Sequence, residues 1–166
     1  ALRGVVPLLA GKVDVVVSAT TDTGLARAKD LFGGTCHVVR YPLDFSWAVR
    51  KFLDRVRPDA VALVELEVWP NFVDECAARS IPTCIINGRL SERSFKGYQR
   101  VKGFFAKRLN RLTFAGVQDE DYAARFRALG MDAGRVRVTG SMKWDAAAIT
   151  DVVPGADELA REMGID

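Results

Sequence analysis

At 166 residues, with 49% apolar and 27% charged residues, the chain is long enough for one domain with a real core and too apolar to be disordered. Its net charge of +3, from 24 basic and 21 acidic residues, is too small to argue for a nucleic-acid partner. No run approaches the ~20 apolar residues that span a bilayer. In chain order, Val5 to Leu9 reads as the middle of a helix, and a truncated N-terminus that hides one further strand is expected. Val13 to Ala19, β-branched and apolar apart from Asp14 and Ser18, predicts a strand. Thr20 to Gly24 is a polar turn whose hydroxyls cap a helix from about Gly24 to Phe32, which Gly33 and Gly34 stop. Thr35 to Val39 predicts a second strand. Tyr41 to Asp44 is a loop ending in an N-cap for the next helix, Phe45 to Val56, whose apolar residues at 45, 48, 49, 52, 53 and 56 form one stripe.

After Pro58-Asp59, the run Val61 to Val64 predicts a strand buried on both faces, as in a parallel sheet. Pro70 suits the first turn of the following helix, where its missing N–H costs nothing, and Phe72 to Arg79 continues it. Pro82 to Ile86 predicts another strand, Phe95 to Leu109 a long basic helix, and Leu112 to Val117 a fifth strand. A helix from Asp119 to Leu129 closes on Gly130, and Val136 to Val138 is a short sixth strand. Pro154-Gly155 then breaks the chain before a last helix at about 156–163.

Strands separated by helices of this length need crossover connections, so the fold class is α/β, a doubly wound, mostly parallel, Rossmann-like sheet. No GxGxxG follows the first strand, which gives no basis for a dinucleotide cofactor. A single histidine, His37, gives no basis for a histidine metal site or a Ser-His triad. Cys36, Cys76 and Cys84 are widely spaced without a CxxC and read as reduced, buried thiols of a cytosolic compartment.

Ligands of open α/β sheets bind outside the carboxyl ends of the strands. Those loops hold Thr20 to Gly24, Tyr41 to Asp44, Glu65 to Trp69, Asn87 to Ser94, Gln118-Asp119 and Gly140 to Asp145. Glu65 and Glu67 have no Lys or Arg within four positions, so they are either a reactive pair or a helix cap beside a solvated acid. Arg89, Ser91, Arg93 and Ser94 precede a helix N-terminus, where N–H groups, hydroxyls and guanidinium can hold an anion together. The alternative for Ser91 is simple capping. Lys143 and Asp145 are either a polar site or a surface pair over Trp144. From Arg89 to Arg111 there are eight Lys or Arg and one acid, interleaved with Tyr98, Phe104 and Phe105. Such a segment is either a solvated face or a membrane-interface helix.

Taken together, these motifs resemble one family. Glu65 to Asn71 (ELEVWPN) resembles the E-T-E-L-W-P-N segment of the 3-deoxy-D-manno-octulosonic acid (Kdo) transferases, and Asn87 to Ser94 resembles their N-A-R-L-S-x-R-S. Gln118 to Gly130 (QDEDYAARFRALG) is similar to A-Q-S-x-x-D-x-x-R-F-x-x-L-G, and Gly140 to Asp145 (GSMKWD) to G-N-L-K-F-D. Thr20 to Gly24 and Pro42 to Asp44 are similar to T-x-T-G and P-L-D. The likeness runs in order from Ser18 to Asp145, with Leu66, Val68, Gly88, Ser141, Met142 and Trp144 departing from the family's residues.

The resemblance implies the N-terminal half of a GT-B glycosyltransferase that transfers Kdo from CMP-Kdo to a lipid A precursor (lipid IVA) in lipopolysaccharide biosynthesis. The expected setting is the cytoplasmic face of the inner membrane, with peripheral contact to its anionic surface. It further implies an acceptor-binding domain at 1–150, the start of a linker at 151–166, and a donor-binding domain beyond this chain. The family's proposed general base, in an S-V-G-E segment, is expected upstream of Ala1, so the fragment is expected to be inactive alone. Glu65 and Glu67 are the expected catalytic residues. Arg89, Ser91, Arg93, Lys143, Thr20 and Gln118 are the expected substrate-binding residues, with no metal and no cofactor besides the CMP-Kdo donor. The alternatives are the acceptor domain of another GT-B enzyme or a non-catalytic anion-binding module.

Overall fold

The computed structural model describes residues 2–145 and 161–164, so the linker and most of the last expected helix lie outside the described residues. In chain order the elements are α1 (Leu2–Leu9), β1 (Val16–Ala19), α2 (Asp22–Phe32), β2 (His37–Arg40), α3 (Ser46–Val56), β3 (Val61–Val64), α4 (Pro70–Ala78) and β4 (Thr83–Gly88). They continue with α5 (Glu92–Gln99), α6 (Lys102–Leu109), β5 (Ala115–Val117), α7 (Glu120–Ala128), β6 (Val136–Val138) and α8 (Met142–Asp145). All described strand pairs are parallel, as the alternation of strands and helices required. The result is a doubly wound, Rossmann-like α/β fold.

The expected single sheet is divided. β1 pairs only with β2, and the order β3-β4-β5-β6 forms a separate four-stranded sheet, which leaves the outer edges of β1 and β3 unpaired among the described residues. Each sheet has its own apolar cluster. Val6, Val17, Ala28 and Phe32 pack beneath the small one, and Val49, Leu53, Phe72, Ile85, Leu112, Phe126 and their neighbours beneath the large one. Parallel strands are normally covered on both faces. β4 obeys this, with four of its six residues buried. Next to the open edges the rule fails: Ala62 in β3 and Val16 in β1 are exposed.

The long basic helix expected at 95–109 is two helices. Arg100 and Val101 donate their backbone N–H groups three residues back, to Gly97 and Tyr98, which tightens and ends α5 before α6 starts. Gly97 and Gly103, poor helix formers on either side of β-branched Val101, are the local cause. The strand β4 runs two residues beyond its expected end, so that Asn87 and Gly88 belong to the sheet. The three thiols are free as expected, but only Cys76 is fully buried, Cys36 and Cys84 being half-buried.

Gly88 pairs with Val117 of β5 and lies close against that strand. A Cβ there would stand 2.8 Å from Cγ1 of Val117 and 3.1 Å from the Gly116 carbonyl oxygen. Gly88→Ala is therefore expected to destabilise the chain by about 1–3 kcal/mol, as overpacked cores are. Chemical unfolding of Gly88→Ala in the wild-type and in the Val117→Ala background checks this, because the second background lacks the nearest atom and should show a smaller loss from Gly88→Ala.

Candidate functional site

The parallel topology brings the carboxyl ends of β3, β4, β5 and β6 to one rim, and the loops there carry most of the residues singled out in the sequence. Glu65 follows β3 directly and donates its backbone N–H to the Ile86 carbonyl of β4 at 3.0 Å. Its φ of 58° is left-handed, as is the 53° of Asn87 on the adjacent strand. Non-glycine residues adopt this region at a cost of about 1–2 kcal/mol. Two such residues side by side at strand exits mark the rim as a place where backbone geometry is imposed.

Glu65 and Glu67 are both exposed, and neither caps the following helix. The Trp69 indole Nε1–H donates to Oε2 of Glu67 at 2.8 Å, which fixes that carboxylate beside the ring. The cap of α4 comes from elsewhere. Asp44, expected to cap its own helix, instead accepts from the backbone N–H groups of Asn71 (3.0 Å) and Phe72 (2.9 Å). The helix α3 has Phe45 at its N-cap and no side-chain cap. The sequence held a signal for this exchange: a helix that opens Trp69-Pro70-Asn71 has no capping side chain at its own N-cap and needs an acceptor from another loop.

One strand over, Leu90 is fully buried and Arg89 beside it is exposed, with no acidic partner among the described residues. Arg125 of α7 donates to the Leu90 carbonyl at 2.7 Å, so the helix behind holds the turn that presents Arg89. Arg125 was not singled out as a functional residue, although its motif was noted. Ser91 is the N-cap of α5, accepting from the Ser94 N–H at 3.2 Å and donating to its Oγ at 3.0 Å, so the capping alternative holds for this residue. Arg93 is exposed and lines a shallow groove of about 580 Å³ with Glu92, Lys96, Gly97 and Arg100.

Asn87 joins three of the loops. Its carbonyl accepts from Nε2 of Gln118 at 3.2 Å, and its Oδ1 accepts from the Met142 N–H at 3.1 Å. Gln118 thereby serves the rim's framework with its amide. Lys143 is exposed at the start of the short helix α8. The side chains of Trp144 and Asp145 lie outside the described residues, so the expected Lys143–Asp145 pair does too. Thr20 is exposed at the end of β1, in the smaller sheet, where its carbonyl accepts from Arg40 at 3.4 Å. It is the one expected site residue that follows a strand outside the four-stranded sheet.

Behind the β3 loop, the Tyr41 ring packs on Phe52, Trp69 and Phe72. Burial first, and then the negative charge of Asp44, push its phenol well above the usual tyrosine range. A raised phenol contributes stability that is present below the unfolded-state value near 10 and is lost as pH rises above it. Its hydroxyl is buried without a hydrogen-bond partner among the described residues. Tyr41→Phe is therefore expected to raise stability by about 1 kcal/mol and to flatten the alkaline limb above pH ~10, read from melting curves against pH.

The basic segment is less uniform than its sequence suggested. Arg108 and Arg111 both pair with Asp74 of α4, and Lys96 pairs with Glu92 at 2.7 Å. Tyr98 and Phe105 are half-buried and meet edge-on at 4.2 Å. What faces outward is Val101 and Phe104, about half exposed (49% and 48%), among Arg100, Lys102 and Lys107. A depression of about 870 Å³ lies at the other end of the small sheet, lined by residues that precede β1 and β2, among them Lys12, Asp14, Gly34 and Cys36. Strand N-termini are the wrong end for an α/β ligand crevice. No group of His, Cys, Asp and Glu among the described residues is arranged to hold a metal ion.

Residues 5–146 match the family model described as 3-deoxy-D-manno-octulosonic-acid transferase (kdotransferase). Three curated relatives named 3-deoxy-D-manno-octulosonic acid transferase are similar over most of the chain. The protein of Haemophilus influenzae is 28% identical over 147 residues, covering 89% of this chain and 34% of its own. That of Chlamydia pneumoniae is 34% identical over 143 residues (81% and 31%), and that of Bordetella pertussis 34% over 150 residues (84% and 33%). The chain thus spans about a third of the length of these relatives. With the rim and its motif residues in the same order, the chain belongs to the 3-deoxy-D-manno-octulosonic-acid transferase family.

Proposed function

We propose that this chain is the acceptor-side part of an enzyme that transfers Kdo from CMP-Kdo to a lipid A precursor, lipid IVA, in lipopolysaccharide biosynthesis. The observation that carries the reading is the rim itself: two carboxylates after β3 and two guanidinium groups after β4 with no acidic partner among the described residues, on adjacent strands of a family member. In the transfer, an acceptor hydroxyl oxygen attacks the anomeric carbon of Kdo, the bond to the CMP phosphate breaks, and the hydroxyl proton passes to a carboxylate. Arg89 and Arg93, with Lys143, supply fixed cations for the acceptor's phosphates or the sugar's carboxylate. Ser91 and Gln118 keep the surrounding loops in place, and Thr20 lines the far side of the crevice. Glu65 and Glu67 lie beside the reacting hydroxyl, where a carboxylate orients it for the base. No metal and no cofactor besides the sugar nucleotide enters this scheme.

In this reading residues 1–150 are the Rossmann-like acceptor domain of a GT-B enzyme, 151–166 begin the linker, and the donor-binding domain lies elsewhere in the protein. The open edges of β1 and β3 support a further parallel strand between them, supplied from upstream and carrying the general base to the same rim. Inserted there, it gives an order in which winding reverses beside Glu65, the position where doubly wound sheets bind ligands. Among the described residues no helix is long and apolar enough to cross a membrane. Contact with the anionic cytoplasmic face of the inner membrane then falls to Val101 and Phe104 and the cations around them.

The reading is tested by Kdo transfer from CMP-Kdo to lipid IVA in the full-length protein. Arg89→Ala is expected to lower kcat/KM at least about a hundredfold, as for a lost charge contact in the transition state, with the melting temperature unchanged. Wild-type turnover in that variant refutes the assignment. For the membrane contact, Phe104→Ala with Lys107→Ala is expected to weaken sedimentation with phosphatidylglycerol vesicles and to leave binding that added salt abolishes more readily.

A further inference from the structure

We propose that Asp44 is a positioning residue, which latches the β2–α3 loop onto the start of α4 and thereby fixes the Glu67–Trp69 pair at the rim. Every polar group of the latch is used. The two carboxylate oxygens of Asp44 accept from successive backbone N–H groups, Oδ2 from Asn71 at 3.0 Å and Oδ1 from Phe72 at 2.9 Å. The Asn71 side chain returns the contact, its Nδ2 donating to the Asp44 carbonyl at 2.6 Å and to Oδ2 at 3.3 Å, while its Oδ1 accepts from the Ser46 hydroxyl at 3.2 Å. The charge of Asp44 also stands at the positive end of the α4 dipole.

The placement matters because of what lies between the anchors. The loop 65–69 is tied at one end where the Glu65 N–H meets the Ile86 carbonyl, and at the other where Asn71 meets Asp44. Val68 is buried between them, and Pro70 restricts the backbone just ahead of the latch. The usual capping side chain belongs to the N-cap residue, here position 69. That position holds Trp69, whose indole is engaged with Glu67 at 2.8 Å, and the capping is delegated to a residue 27 positions before Asn71. The N-cap side chain is thus free to hold the carboxylate because Asp44 does the capping.

The exchange experiment stands by itself, and its activity arm rests on the function proposed above. In the full-length protein, hydrogen–deuterium exchange of the peptide spanning 65–72 is compared in Asp44→Ala, Asp44→Asn and Asp54→Ala. The last removes the 2.7 Å pair with Arg79 at the opposite end of α4 and serves as a control for general loosening of the same helix pair. Exchange at Val68, Trp69, Asn71 and Phe72 is expected to rise about tenfold in Asp44→Ala, to stay near wild type in Asp44→Asn, which keeps a capping oxygen, and to be unmoved in Asp54→Ala. Transfer by Asp44→Ala should lose about tenfold or more in kcat with KM for the sugar nucleotide little changed, and Asp44→Asn should recover most of it. Unaltered exchange in Asp44→Ala, or an equal rise in Asp54→Ala, overturns the latch. If Glu67→Gln loses activity while Asp44→Ala keeps it, the positioning role alone fails. If both keep it, the place of Glu67 in the chemistry fails as well.

Discussion

Glu67→Gln in the full-length protein is expected to lower kcat for Kdo transfer by about a hundredfold, as for loss of a positioned charge beside the reacting hydroxyl. The substitution keeps the shape of the side chain and leaves an oxygen to accept from the Trp69 indole, now 2.8 Å from Oε2. What it removes is the charge that orients the acceptor hydroxyl. Glu67 is exposed, so no buried partner is orphaned, and the melting temperature should hold. Glu65→Gln tests the pair's division of labour. Its side chain has no polar partner among the described residues, and its backbone carries the left-handed turn. A large loss for one glutamate and a small loss for the other identifies which of them meets the hydroxyl. Steady-state kinetics with both substrates varied separates a kcat effect from a binding effect.

The largest expected effect on stability belongs to Phe126→Ala. This ring is wholly buried in the larger core, on the helix that packs against β5 and β6. Truncating such a residue costs about 3–5 kcal/mol, the lost transfer free energy plus the cavity left behind. Against a total stability of about 5–15 kcal/mol this removes a large share, and the melting temperature should fall by roughly 10 °C. The consequence reaches the rim, because the residue before it, Arg125, holds the Leu90 carbonyl at 2.7 Å and with it the turn bearing Arg89. Differential scanning calorimetry of Phe126→Ala measures the first effect. Arg125→Ala, expected to lose far less stability but to weaken acceptor binding, measures the second.

Most of the elements were legible because their signals are local. The stripe at 45–56, Gly130 at φ 96° after α7, and Pro70 at the start of α4 each act within a few residues of themselves. The rim was legible too, since parallel strands of alternating βα units must place Glu65, Arg89 and Gln118 at one end of the sheet. Asp44 was misread for the opposite reason. A Pro-Leu-Asp followed by a helical stripe has the local form of a cap, yet the acceptor goes to α4, which lacks a cap of its own and reaches Asp44 only through tertiary packing. Similarly, eight cations in one segment give no sign of which of them an acid on another helix will claim. Asp74 takes Arg108 and Arg111, which leaves a smaller outward cluster around Phe104. The division into two sheets could not be read from strand signals, because strand identity says nothing of which neighbour is present to pair.

The most direct measurement is photo-crosslinking of the full-length protein with a diazirine-bearing lipid IVA, followed by peptide mapping. The account predicts labelling within 65–69 and 89–94, competed by unmodified acceptor and reduced in Arg89→Ala. Labelling confined to residues 10–15 and 33–37, around the large depression at the opposite end of the small sheet, contradicts it.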